Sequence, residues 1–128
     1  MIPVVFINCT SAPFLDDIIA GHKTIETRAR DTLRQFAGCR VLLAETGNGR
    51  PVVRASAVLR SGRPVYSRAV WDSLRLRHMV PVGNRYDWTP DTKVKYCYDL
   101  LDVRPCDPFT PPEGVRHGYV WMEYETEV

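Results

Sequence analysis

Eight consecutive residues, Gly21-His22-Lys23-Thr24-Ile25-Glu26-Thr27-Arg28, concentrate the chemistry of this 128-residue chain. An ammonium, a carboxylate and a guanidinium fall close together just after a glycine. If Lys23–Arg28 runs as a strand, side chains alternate between faces. Glu26 and Arg28 then share a face with Thr24, while Lys23, Ile25 and Thr27 take the other. If the first residues form a turn out of a helix, Lys23 can swing toward Glu26. Such a cluster suits a phosphate or a nucleobase. As a binding site, Lys23 and Arg28 hold phosphate, and Glu26 accepts hydrogen bonds from a base amino group or fixes the arginine. As a catalytic site, Glu26 is a general base and Lys23 stabilises developing negative charge. As plain structure, Glu26 and Arg28 form an ion pair clamping the wall of the fold.

The elements that must position this stretch read as follows. Pro3 to Asn8 is a short apolar run and reads as a buried first strand. Thr10 or Ser11 can cap a following helix that has Pro13 in its first turn. Phe14, Leu15, Ile18 and Ile19 give that helix one apolar face, and Gly21 ends it. After the strand Thr24–Arg28, Asp31 caps a single turn, Asp31–Phe36, closed by Gly38. Cys39–Thr46 and Val52–Leu59 read as strands joined by the turn Gly47-Asn48-Gly49. In the second of these, Arg54, Ser56 and Val58 alternate with apolar residues. Gly62-Arg63-Pro64 breaks it. Ser67 caps a second helix, Arg68–Met79, with Val70, Trp71, Leu74 and Met79 on its apolar side. Pro81, Gly83 and Pro90 bracket an irregular loop carrying Arg85, Tyr86, Asp87 and Trp88. Lys93–Val103 is the longest strand, Pro105–Pro112 a proline-rich connection that is no central strand, and Tyr119–Tyr124 a closing strand. About six short strands and two helices argue for an α+β domain, a small mixed β-barrel with helices packed against it.

The length fits one domain, residues 1–128, able to bury a core without disulfides or metal. With 45% hydrophobic and 25% charged residues the chain is globular rather than disordered. Net charge is only +2, too small to imply nucleic-acid binding by itself. Its distribution says more: between Thr46 and Tyr86 there are eight arginines and one acid, Asp72. That asymmetry points to a basic face and an anionic partner, or to a solvated basic surface. Arginines 54, 75, 77 and 85 are candidate phosphate contacts. Tyr86, in the irregular loop, is a candidate for stacking on a base; Trp71 reads as core. Tyr96 and Tyr98 share a face, cleft or core. His22 and His78 could titrate near neutrality but have no partner in sequence, and His117 reads as a turn residue. Cys9, Cys39, Cys97 and Cys106 form no paired ligand motif, so no metal and no cofactor are expected. Without a basic leader or a long apolar run, neither a signal peptide nor a membrane span is expected, and the expected location is cytoplasmic.

The pattern helix–Gly21-x-Lys23-Thr24-x-Glu26-x-Arg28 resembles the signature of the ASCH domain, in the PUA-like superfamily. The spacing to Gly38 and the next strand, the late strand through Tyr96–Leu100 and the closing Tyr119–Tyr124 segment fit as well. The resemblance covers nearly the whole chain. It implies a β-barrel with a cleft beside the motif and RNA, a nucleotide or a nucleoside as ligand, Lys23, Thr24, Glu26 and Arg28 lining it. Some members are small amidohydrolases acting on acetylated cytidine. There a threonine three residues after the motif lysine is the nucleophile; here Glu26 stands at that position. Others are ribonucleases or binding domains. Catalysis on this site would rest on Lys23 and Glu26, and a protein-interaction role would fall to Pro105–Pro112.

Overall fold

A computed structural model describes residues 2–112 and the backbone of residues 120–122. Its strands are β1 (Ile2–Asn8), β2 (Ile25–Arg28), β3 (Arg40–Thr46), β4 (Val52–Leu59), β5 (Arg63–Val65), β6 (Lys95–Phe109) and β7 (Val120–Met122). They form one mixed sheet in the order β2-β6-β4-β3-β1-β7, with β5 beside β6. β1 and β3 run parallel and the other pairs are antiparallel. The sheet curls into a half-barrel, the α+β architecture expected from the sequence. Three short helices complete it: α1 (Phe14–Ile19), α2 (Arg68–Ser73) and α3 (Arg75–His78). Among the described residues no helix is long and apolar enough to cross a membrane.

β6 makes the curl. Its first part pairs with β2 through Tyr96–Asp99, and its later part pairs with β4 from Leu100 to Phe109. The β4 ladder shifts register twice, and Asp102 takes a positive φ of 48°. Bulges of this kind bend a strand and raise its twist. The sequence expectation that Pro105–Pro112 is only a connection is corrected here. Pro105 lies opposite Ala55 and Phe109 opposite Val53. β2 reaches only as far as Asp99, so this part of β6 has β4 on one side and no β2 on the other. A proline fits such an edge because its missing N–H leaves no ladder bond unmade there. β5 is a second correction: Arg63–Val65 interrupts β4 as expected but then pairs with β6 at Lys95–Cys97.

The core follows from the apolar runs. In β4, Val53, Ala55, Ala57 and Leu59 are buried while their alternates are half-buried. β1 is apolar on both faces and covered on both. Val5 and Ile7 pack with Phe14, Leu15 and Ile18 of α1 in the main core; Val4 and Phe6 pack with Leu42, Ala44 and Val53 in a smaller one. Each fully buried large apolar side chain contributes about 1.5–3 kcal/mol.

Gly21 ends α1 as expected, at φ 82°. The main-chain N–H groups of His22 and Lys23 then both reach back to the Asp17 carbonyl, at 2.9 and 3.0 Å. The expected caps at Thr10 or Ser11 are not made: Pro13 stands at the N-cap, and the Thr10 hydroxyl donates to Asn8 Oδ1 at 2.6 Å. Asp31 does not cap its turn either. Its carboxylate accepts from the Tyr98 hydroxyl at 2.6 Å, and the helical turn is Arg34–Phe36. Ser67 does cap α2, accepting from the Val70 N–H at 3.2 Å. The single helix expected over Arg68–Met79 is broken at Leu74, and Val70 is half-exposed rather than core. Just after the break the Arg75 guanidinium donates to Asp72 (2.6 Å), Asp87 (3.1 Å) and the Val80 carbonyl (2.6 Å), tying the end of α2 to the loop that follows α3. The closing strand expected over Tyr119–Tyr124 is seen as β7; its ends, like His117, lie outside the described residues.

Trp71, His78 and Asp87 knit α2, α3 and the following loop. The Trp71 indole stacks on His78 with centroids 4.0 Å apart and donates to Asp87 Oδ1 at 2.7 Å. Burial pushes the Asp87 carboxyl up, but hydrogen bonds from the Gly83 N–H, the Trp71 indole, the Trp88 N–H and Arg75 outweigh it and hold the carboxyl far below the usual range. His78 Nδ1 accepts from the Val80 N–H at 3.0 Å, so the neutral ring carries its proton on Nε2, facing the Trp71 carbonyl at 3.1 Å. Burial, with Lys23 and Arg75 nearby, lowers its pKa from 6.5 to about 4. Between those values the unfolded chain binds the extra proton and the folded one does not, so stability falls as pH drops through that window. Urea unfolding at pH 7 and 4.5 is expected to show about 2–3 kcal/mol more loss in the wild type than in His78→Gln. Equal losses in the two proteins would remove His78 as the cause.

Candidate functional site

The half-barrel leaves β2 and β1 apart: they are not neighbours in the sheet. A cavity of about 280 Å³ opens between them. Its walls are Phe6, Ile7 and Asn8 of β1, Phe14 of α1, Lys23, Glu26, Thr27 and Arg28 of β2 with Ala29 after it, and Val80, Arg85, Tyr86 and Lys95. The Arg28 guanidinium spans the gap, donating through Nη2 to the Phe6 carbonyl at 2.8 Å and to Glu26 Oε2 at 3.1 Å. Its Nε–H is buried with no hydrogen-bond partner among the described residues.

Lys23 and Glu26 form the inner wall. The turn at Gly21 delivers Lys23 to the inside, where its side chain is 1% exposed. Its ammonium donates to the His78 carbonyl at 2.5 Å, sits 3.7 Å from Glu26 Oε1 and lies 5.1 Å from the centre of the Phe14 ring. Burial pushes the Lys23 pKa down, and Glu26 opposes that shift. The Glu26 side chain is 9% exposed. Oε1 accepts from the Thr27 N–H at 3.0 Å and Oε2 from Arg28, leaving lone pairs on each oxygen for a ligand. The pocket therefore holds a fixed carboxylate, pinned between two cations, beside aromatic rings.

The remaining candidates divide. Arg85 and Tyr86 line the pocket; the Arg85 guanidinium lies 5.0 Å from the centre of the Tyr86 ring, and that ring meets Phe14 edge-on at 6.0 Å. Thr24, Arg54, Arg75, Arg77 and Tyr96 are not lining residues. Thr24 accepts from Arg77 Nε at 3.3 Å. Arg54 binds Asp16 at 2.7 Å and Glu45 at 2.9 Å. Arg75 holds the α2–α3 corner, Arg77 pairs with Asp99 at 2.9 Å, and Tyr96 packs against the main core. The sequence reading did not single out Phe6, Phe14, Asn8 or Lys95 for the pocket. Lys95 Nζ donates to the Tyr86 carbonyl at 2.5 Å and lies 5.0 Å from the Trp71 ring, so it holds Tyr86 in place. Burial lowers its pKa, and Asp87 opposes the shift. Only its position two residues after Lys93 on a strand could have marked it.

Solved structures with this fold include the ASCH protein of Zymomonas mobilis, at TM-score 0.71 and 20% identity over 94% of this chain and 87% of that one. A serine-to-alanine variant and a tyrosine-to-phenylalanine variant of the same protein match at TM-score 0.70, again at 20% identity and 94% of this chain, with 87% and 89% of theirs covered. The chain has the ASCH-domain fold, as the motif resemblance implied. No protein-family model and no curated protein matches the sequence.

Removing Lys23 should show how much of the fold hangs on this wall. Lys23→Ala deletes a buried cation and leaves the His78 carbonyl without its donor, so a loss of about 3–5 kcal/mol in chemical denaturation is expected. Arg54→Ala, which cuts two partly exposed pairs, is expected to cost no more than about 1 kcal/mol. A Lys23→Ala protein as stable as Arg54→Ala would refute the structural weight given to Lys23.

Proposed function

We propose that the pocket binds RNA or a nucleotide by its base, and that Glu26 is the residue that recognises it. The observation that carries this reading is a nearly buried carboxylate, fixed by Lys23 and Arg28, facing a cavity walled by Phe14 and Tyr86. A carboxylate oxygen accepts from a base N–H; aromatic rings give it a stacking surface; Arg85 and Lys95, on the same pocket, suit a phosphate. The cavity volume lies near the small end of ligand pockets, about 300–1,000 Å³. The fold shared with the Zymomonas mobilis ASCH protein is compatible with this reading.

Calorimetric titration with mononucleotides and short single-stranded RNA, at low and moderate salt, tests it. Binding is expected to weaken about 10- to 100-fold in Glu26→Ala, since a hydrogen bond to a charged group is lost. Arg85→Ala should lower affinity for nucleotides but not for the matching nucleosides. No binding at low salt by the wild type would sink the proposal.

One observation favours a hydrolytic reading of the same pocket. Lys23 and Glu26 stand 3.7 Å apart on its wall, the lysine with a lowered pKa, an arrangement able to move a proton and to stabilise negative charge. Turnover of acylated nucleosides or of RNA, lost in Glu26→Gln while binding persists, would establish it.

A further inference from the structure

Outside the pocket lining, arginines from separate elements gather round one carboxylate. Arg63 of β5 and Arg77 of α3 both donate through Nη2 to the same oxygen, Asp99 Oδ1, at 3.0 and 2.9 Å. Arg60 donates its main-chain N–H to the Asp99 carbonyl at 3.0 Å and is itself exposed. The Arg63 and Arg77 side chains remain 52% and 48% exposed, against 21% for Asp99. One carboxylate thus faces two guanidiniums and leaves positive charge in excess.

A guanidinium carries five N–H donors in a planar fork. The bonds to Asp99 and Thr24 use a minority of them. Two forks already held side by side by a shared oxygen lose little further freedom when an anion arrives. Exposed ion pairs contribute little to folding, so stability is a weak reason for assembling this group from three elements. Its location gives a better one. The Arg77 carbonyl accepts from the Thr24 N–H at 2.8 Å, and the next carbonyl, His78, holds the Lys23 ammonium. The segment that carries Arg77 therefore also holds Lys23, which forms part of the pocket wall.

We propose that Arg63 and Arg77, set in place by Asp99, form a phosphate-backbone contact for single-stranded RNA, next to the pocket that takes a base. The proposal rests on the RNA reading of that pocket but uses none of its residues. It gives the exposed part of the arginine-rich stretch a role separate from Arg85.

Fluorescence anisotropy of a short labelled single-stranded RNA, over a range of salt, tests it beside mononucleotide titrations. In Arg63→Gln/Arg77→Gln, RNA binding is expected to weaken about tenfold or more at low salt, and the slope of log K against log salt to shrink by about 1.4, two phosphates' worth for a single strand. Mononucleotide affinity should stay at the wild-type value. Asp99→Asn keeps an oxygen that both arginines can share but removes its competing negative charge, and is expected to tighten RNA several-fold. Because that change is a gain, damage to folding cannot imitate it. Unchanged RNA affinity and slope in the double variant, with mononucleotide still bound, would overturn the patch and leave the pocket reading standing. RNA binding that responds to these variants while mononucleotide fails to bind would leave the patch and remove the pocket reading. Equal displacement by polyglutamate would overturn RNA as the occupant.

Discussion

The buried ammonium of Lys23 is the constraint on which the rest of the site depends. Taking an isolated charge out of water costs several kcal/mol even after relaxation, so a lysine this deep must find its partners. It finds the His78 carbonyl at the end of α3 and the Glu26 carboxylate on β2, with the Phe14 ring of α1 beneath. Those contacts fix the distance between three elements that the sheet ladder does not connect directly. They also orient Glu26, whose other oxygen holds Arg28. A charge that would be a liability in an ordinary core here sets the geometry of a polar wall.

Arg28 extends that order across the opening of the half-barrel. β1 and β2 share no ladder, and the Arg28 guanidinium bridges them by reaching the Phe6 carbonyl. Both ends of this bridge, Arg28 and Phe6, line the pocket. The opposite side of the pocket depends on a second polar centre. Asp87, receiving four hydrogen bonds, fastens the loop that carries Arg85 and Tyr86, and Lys95 ties the Tyr86 carbonyl from β6. Both walls are thus built round buried ions satisfied by several donors or acceptors, the condition under which burial of charge is tolerated.

The arginine-rich middle of the chain shows how one composition can serve different ends. Arg54 and Arg75 are consumed by acids from distant or neighbouring elements. Arg63 and Arg77 share a single carboxylate and stay half-exposed, and Arg85 lies against the Tyr86 ring. Charge asymmetry along the sequence marks the stretch but does not say which guanidiniums are neutralised, because some of the acids that neutralise them, such as Asp16 and Asp99, lie far away in the chain.

Local chemistry was legible in the sequence. The alternation in β4 predicted its buried face, Gly21 predicted the end of α1 and Ser67 the cap of α2, while the fold type was implied by the resemblance that the Gly21–Arg28 motif carries. The first three follow from nearest-neighbour sterics and from side-chain periods, which act within a few residues. What lay beyond reach came from contacts between residues far apart. Asp31 serves Tyr98 instead of its own helical turn, because a side-chain oxygen has competing donors that only the folded chain brings near. Prolines 105 and 108 lie in β6 because only tertiary pairing decides which strand edge is left without a partner. Lys95 entered the pocket for the same reason. The order of residues settles which groups can do chemistry and the local shapes that carry them; folding settles which of those groups face one another, because ion pairing and sheet closure are set by distances in space and not along the chain.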